Sequence, residues 1–240
     1  MKGNVIAVSG IDTGTGKTVV TGLLARALLD RGVQVITQKL VQTGFSGKIA
    51  EDIIEHRRLM GTGLMPEDIE GLTSPYVFDY PASPHLSARI GNRTIDPAAI
   101  RRATFRLQQR YGTILLEGAG GLLVPLNGDL LLADYIRDAG YPLLLVASSR
   151  LGSINHTLLS IEACLKRGIS LRGIVYNRFQ ETDRMIGDDT FETIHHFLKR
   201  YGISAPVVTL EETGLEAGAA ELFGLTSGQR TRDHSSHERH

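Results

Sequence analysis

What the sequence lacks narrows its class. It has one cysteine in 240 residues, so no disulfide can form within the chain. A lone Cys164 fits a reducing compartment, and the chain is read as cytoplasmic. It has no net charge, with 26 Lys and Arg against 26 Asp and Glu. That balance argues against a broad electrostatic grip on nucleic acid or an anionic membrane. No apolar run approaches the ~18 residues of a membrane span. Met1-Lys2-Gly3-Asn4 leads straight into a short apolar run, unlike a signal peptide. No internal repeat is visible. What remains is an ordinary globular chain, long enough to bury a core unaided.

Glycine is in excess, with 27 residues. Its placement is the main clue. Short apolar runs alternate with helical patterns. Val5-Ile6-Ala7-Val8, Val33-Gln34-Val35-Ile36, Ile114-Leu115-Leu116, Leu143-Leu144-Leu145-Val146 and Ile174-Val175-Tyr176 read as strands. They are apolar on both faces, as in a parallel sheet covered by helices on both sides. Between them, helical spacing is read from Val20 to Leu28 and over 98–109, 130–138, 154–167 and 189–201. The alternation predicts an α/β fold with a single doubly wound, mostly parallel sheet flanked by helices. One domain is expected over 1–224. The stretch 46–92 is less regular, with four prolines, and reads as helical pieces joined by loops. The last residues, 225–240, are polar and His-rich and are expected to be a disordered tail.

The glycines cluster where strands end. Gly10-Ile11-Asp12-Thr13-Gly14-Thr15-Gly16-Lys17-Thr18 follows the first strand and opens the first helix. That is the context of a phosphate-binding P-loop. Backbone N–H groups of such a loop converge on phosphate oxygens, and the helix N-terminus adds partial positive charge. Lys17 would reach the β- and γ-phosphates, and Thr18 would offer its hydroxyl to Mg²⁺. The third strand leads into Glu117-Gly118-Ala119-Gly120-Gly121. An acid at the end of an apolar strand sits where Walker-B carboxylates hold Mg²⁺. Lys39, just after the second strand, lands on the same rim, although a solvated strand end is the usual fate of a lone lysine.

In these motifs the chain resembles the dethiobiotin synthetase family. The family's Gly-x-Asp-Thr-x-x-Gly-Lys-Thr is matched by Gly10 to Thr18, and its Lys-Pro-Val-x-Ser/Thr-Gly is similar to Lys39 to Gly44. Ser83-Pro84-His85-Leu86, Glu117 to Gly121, Leu151 to Leu159 and Asn177 match further family segments. The resemblance spans about Val5 to Phe179. It implies a P-loop NTPase fold and an ATP- and Mg²⁺-dependent cyclo-ligase that converts 7,8-diaminononanoate and CO₂ (or bicarbonate) to dethiobiotin. One amine becomes a carbamate, ATP phosphorylates it, and the neighbouring amine closes a ureido ring.

Site roles follow from the resemblance. Lys17 holds the transferred phosphoryl group and Lys39 bridges carbamate and γ-phosphate. Thr13 and Thr43 bind the carbamate or diamine end. Thr18, Asp52 and Glu117 hold Mg²⁺. Asp12, Thr13, Gly14, Thr15, Gly16, Lys17, Thr18, Glu117, Gly118 and Gly120 contact the nucleotide, and Asn177 reads the adenine edge. Asp52 is chosen because the family places an Asp early in the helix over 48–59. Glu51 and Glu55 share that helix and could equally be, like Asp52, a solvated face. Gly152, Ser153, Ile154 and Asn155, contributed by a second subunit, would receive the substrate carboxylate, which implies a homodimer with the site at its interface. From the residues alone, an ordinary helix start capped by Ser153 stands level with that reading.

Some positions depart from the family. Leu40 replaces a proline, which predicts a looser loop around Lys39, since proline fixes φ. Arg150 and Arg178 replace other residues, and the segment Pro206-Val207-Val208-Thr209 lacks the turn that shapes the base pocket. The competing class is a deviant P-loop regulatory ATPase of the partitioning or septum-site type. Its signature lysine would stand where this chain has Asp12. A glutamine-using amidotransferase would need a nucleophilic cysteine, and Cys164 lies inside a helical pattern.

Overall fold

Strands that are apolar at successive positions, not alternate ones, need cover on both faces. A computed structural model shows that cover and describes residues 2–179 and 181–226. The chain opens with β1 (Asn4–Gly10), α1 (Lys17–Leu29) and β2 (Val35–Lys39). The irregular stretch folds as β3 (Gln42–Thr43), α2 (Glu51–Met60), α3 (Pro66–Ile69), β4 (Val77–Phe78) and α4 (Pro84–Ile90). Regular alternation resumes with α5 (Pro97–Gln108), β5 (Thr113–Gly121), α6 (Leu132–Ala139), β6 (Leu143–Ser148), α7 (Ser153–Arg167) and β7 (Leu171–Asn177). The described part closes with α8 (Arg184–Arg200), β8 (Val207–Glu211), β9 (Gly214–Leu215) and α9 (Ala219–Leu222).

The main sheet has the order β2-β5-β1-β6-β7-β8-β9 and is parallel except at β8–β9. This is the expected doubly wound fold. On one face α1 and α2 bury Val20, Leu24, Leu28 and Met60 against Ile6, Val8 and Leu115. On the other, α5 to α8 bury Ile100, Leu107, Tyr135, Ile161 and Ile194 against Ala7, Ile114, Leu116 and Leu145. Each such aliphatic side chain contributes about 1.5–3 kcal/mol relative to exposure. The order reverses at β1, whose neighbours are β5 and β6. Ligands of open α/β sheets bind beyond the strand carboxyl ends at that reversal.

Several boundaries differ from the sequence reading. Helix α8 starts five residues early because the Asp183 carboxylate caps it, accepting from the Met185 and Ile186 amides. Strand β5 continues through its glycines to pair Gly121 with Gly10, so Glu117 stands within the strand. The short parallel ladder β3–β4 was not anticipated. Leu40 is fully buried, and its N–H donates to the Glu117 carbonyl at 2.9 Å. A proline has no such donor, so this bond and the burial of Leu40 are restraints that the expectation of a looser loop left out. The tail expected over 225–240 lies outside the described residues except for Leu225 and Thr226, and Leu225 still packs with Phe223 in the core.

Candidate active site

The P-loop is built from backbone. Gly16 caps α1 with φ of 91°, a conformation open to glycine, and a Cβ there would run into the Asn177 amide. Asn177 itself is 4 % exposed. It donates to the Thr15 carbonyl and accepts from the Phe179 N–H, both at 2.9 Å. Its side chain thus ties the end of β7 to the back of the loop. Within the loop the Asp12 carboxylate accepts from the Thr13 N–H at 2.7 Å, and the Asp12 carbonyl accepts from Lys17 Nζ at 2.9 Å. Burial, and then the neighbouring Lys39, push the Lys17 pKa down to about 8.

Opposite the loop lies a polar cluster made by side chains. Residues alternate across a strand, so Thr37 and Lys39 of β2 share a face, as do Leu115 and Glu117 of β5. The register pairs Thr37 with Leu115 and Lys39 with Glu117. Helix α2 packs over that face and brings Asp52 and His56, four residues apart and so one above the other. Lys39 Nζ bonds to Glu117 Oε1 at 2.8 Å, to the Gly118 carbonyl at 3.1 Å and to Asp52. Thr18 Oγ1 donates to the same Glu117 Oε1 at 3.1 Å. Burial opposes the charge on Glu117, but Lys39 and a hydrogen bond from His56 outweigh it and hold its pKa well below the usual carboxylate range. Burial likewise opposes the Lys39 ammonium, and Glu117 with Asp52 outweighs it, so its pKa lies above that of an ordinary lysine.

Loop and cluster face one cavity of about 760 Å³. Its lining includes Thr13, Gly14, Gly16, Lys17, Thr18, Lys39, Thr43, Asp52, Glu117 and Gly120, together with Ser83 and Pro84. The structure thus brings both lysines, both candidate carboxylates and both threonines of the expected substrate end to one place. Among the acids of α2, Asp52 lines this cavity, while Glu55 pairs with Arg58 on the outside. Asp12, Thr15, Gly118 and Asn177 do not line the cavity and are tied to its walls by the contacts above.

The segment Gly152-Ser153-Ile154-Asn155 does not reach the cavity of its own chain. It opens α7, with Gly152 as the cap at φ of 92°. Ser153 is not the cap, because its hydroxyl bonds to Ser148 Oγ at 2.7 Å. Arg178 is engaged elsewhere, paired with Glu181 and Asp188 and lying over the Tyr176 and Phe191 rings. His56 was missed in the sequence. It is fully buried, with Nε2 at 2.7 Å from Glu117 Oε2 and Nδ1 at 3.0 Å from Thr37 Oγ1. Its one sequence signal is its spacing of four from Asp52.

The donor set can be tested against Mg²⁺. Among the described residues no three His, Cys, Asp or Glu side chains form a metal cage. What converges is one hydroxyl and two carboxylates, with the Lys39 ammonium lodged between the carboxylates as a stand-in cation. All three are hard oxygen donors. Mg²⁺ takes one or two carboxylates plus waters and phosphate oxygens, so the set fits it.

Comparison with known proteins now decides the family. A protein-family model described as "AAA domain" matches residues 4–209. The chain is 60 % identical over 223 residues to the ATP-dependent dethiobiotin synthetase BioD of Chlorobaculum tepidum, covering 92 % of this chain and 93 % of that protein. The chain belongs to the dethiobiotin synthetase family. A second member, ATP-dependent dethiobiotin synthetase BioD 2 of Haemophilus influenzae, is 50 % identical over 184 residues, covering 77 % of this chain and 96 % of that protein. Among solved structures, chloroplast FtsY from Physcomitrella patens matches with a TM-score of 0.51 at 18 % identity, covering 93 % of this chain and 64 % of that one. A ParA family ATPase from Chlorobium tepidum matches with a TM-score of 0.51 at 15 % identity, covering 88 % and 86 %. At such identity these two likenesses show the fold alone.

Proposed function

We propose that this chain is an ATP-dependent cyclo-ligase of biotin biosynthesis, converting 7,8-diaminononanoate and CO₂ to dethiobiotin. The observation that carries this is one cavity holding a P-loop lysine and a second lysine above two carboxylates, in a member of this family. One substrate amine adds to CO₂ and loses a proton, giving a carbamate. A carbamate oxygen attacks the γ-phosphorus of ATP, and ADP leaves. The second amine then attacks the carbamoyl carbon, phosphate departs with its electron pair, and the ureido ring closes. No protein nucleophile is required, because the substrate supplies both amines.

The protein's part is to position and neutralise anions. Lys17 and the loop amides hold the phosphates. Lys39 exchanges its carboxylate partners for the carbamate and the transferring phosphoryl group. Thr13 and Thr43 bind the carbamate or diamine end, and Asn177 meets the adenine edge with the second amide hydrogen and the second carbonyl lone pair that Thr15 and Phe179 leave over. Thr18, Asp52 and Glu117 would hold Mg²⁺, which would supply positive charge against the charge developing on the phosphates.

The homodimer belongs to the same reading. Leu123 and Leu159, 52 % and 56 % exposed, flank a hollow of about 320 Å³ beside Asp12 and His156. Leu151, 88 % exposed, stands just before the same helix. A twofold partner covering this apolar patch would bring its 152–155 segment to the cavity, where α7 amides receive the substrate carboxylate. With one cysteine the chain forms no internal disulfide, which supports a place in the reducing cytoplasm; Cys164 itself is buried. Burial raises its pKa to about 12, far from the nucleophile an amidotransferase needs. Asp12 stands in place of the lysine of a partitioning ATPase. Among the described residues no helix is long and apolar enough to cross a membrane.

The test is direct. Purified protein with Mg-ATP, bicarbonate and 7,8-diaminononanoate should release ADP and dethiobiotin, read by mass, and should sediment at twice the chain mass. ATP turnover that ignores the diamine would overturn the ligase reading, and a monomer at full activity would overturn the shared site.

A further inference from the structure

The expected chemistry gives no task to His56, although it is buried against Glu117. His56 is 0 % exposed and sits behind Glu117, on the side away from the cavity lining. It is part of a chain of hydrogen bonds whose direction can be read. Asp68 grips Arg57 through two bonds, at 2.9 and 2.7 Å, and also accepts from Thr73 Oγ1 and the Met65 N–H. Arg57 can only donate, and its Nη1 donates to Thr37 Oγ1 at 2.8 Å. The ionised Glu117 carboxylate can only accept, so its 2.7 Å bond at Oε2 needs a proton on His56 Nε2, and the neutral ring then accepts the Thr37 hydroxyl hydrogen at Nδ1, 3.0 Å away.

We propose that His56 is a positioning residue for Glu117, donating from Nε2 to that carboxylate and held in place at Nδ1 by Thr37, which Arg57 anchors. It occupies Oε2 and leaves Oε1, which already meets Thr18 and Lys39, as the oxygen presented to the cavity. The site therefore has a second layer on α2. Asp52 acts towards the cavity directly, and His56, one turn on, acts through the carboxylate. Without a donor at Oε2 the carboxylate is free to turn, and both oxygens compete for Lys39 and for a cation. Outer partners of this kind typically govern metal affinity by about 10–100-fold. The inference rests on the Mg²⁺ role given to Glu117 above, so its test is kept separate from turnover.

Two measurements decide it. The first uses the unaltered protein labelled with ¹⁵N. The His56 ring, assigned by its loss in His56→Gln, should carry its proton on Nε2. A ring with its proton on Nδ1 and none on Nε2 could not donate to Glu117 and would overturn the proposal. The second titrates Mn²⁺ into the protein–ADP complex, followed by electron paramagnetic resonance. His56→Leu fills the space but donates nothing, and should weaken Mn²⁺ about 10–100-fold while metal-free ADP binds as before. His56→Gln puts an N–H near the Nε2 place and should recover most of the loss. Unchanged Mn²⁺ affinity in His56→Leu, or no recovery in His56→Gln, would overturn the positioning role. Should His56→Leu fail to fold, the ring-nitrogen result and His56→Gln against wild type still decide. If these hold while no dethiobiotin forms, the ligase reading falls and the positioning of Glu117 stands.

Discussion

Lys17 and Lys39 face the same cavity and are held in opposite ways. Lys17 lies in a loop of nine consecutive residues and bonds to a backbone carbonyl, Asp12 O. Lys39 lies among side chains from β2, β5 and α2 and bonds to two carboxylates. Burial weighs against both charges. Nothing beside Lys17 fully offsets it, so that pKa falls, whereas Glu117 and Asp52 more than offset it for Lys39. A backbone-built cradle thus keeps a cation whose charge is only partly compensated by nearby carboxylates. A side-chain cluster keeps a cation already neutralised, which must change partners to act. The first is ready to bind, and the second is suited to a step that follows binding.

The sharpest break in this comparison is Lys39→Ala. Turnover should fall by about 10²–10³-fold or more, the scale for losing one charged contact to a transition state. ATP affinity, measured by calorimetry, should change little, because the P-loop is untouched. If ATP affinity collapsed together with turnover, the two lysines would share one role and the division between binding and chemistry would be wrong.

The same contrast explains what could be read in advance. The P-loop was legible because its function is contiguous. Spacing, glycines and the strand–helix context are all local. The sheet was legible for a similar reason, since runs such as Leu143-Leu144-Leu145-Val146 fix a strand buried on both faces. The cluster was not. Nothing local to Thr37, His56 or Arg57 says that a β2 side chain will meet the middle of α2. That follows from the register of β2 on β5 and the angle at which α2 crosses them, which only the assembled fold contains. Leu40 shows the same limit in reverse. A lost proline looked like a lost restraint, while the bond that Leu40 donates depends on a carbonyl 77 positions away.

A smaller break removes the cluster's outer anchor. Arg57→Met keeps most of the side-chain volume but leaves the Asp68 carboxylate buried without its cation. Breaking one side of such a pair costs about 3–5 kcal/mol, which lowers the melting temperature by about 10 °C in a domain of this size. Changing Asp68→Leu as well should recover much of that loss, since a buried pair replaced on both sides is often near neutral. A fall confined to Arg57→Met would assign the cost to the stranded carboxylate. An equal or larger fall in the double variant would assign it to packing.

The smallest effect tests the origin of the Lys17 charge. With its pKa lowered to about 8, the ammonium is complete below that value and is lost as pH rises through it. ATP affinity should therefore drop about tenfold between about pH 7 and about pH 9, a range in which an ordinary lysine stays charged. Lys39 is the second cause of the lowering after burial. In Lys39→Ala the Lys17 pKa should move back up, because the repelling cation is gone while Glu117 and Asp52 remain. The affinity loss over the same interval should then shrink. A loss of unchanged size in the variant would mean that burial alone sets the charge of Lys17, and that the two lysines, though they share a cavity, do not sense one another.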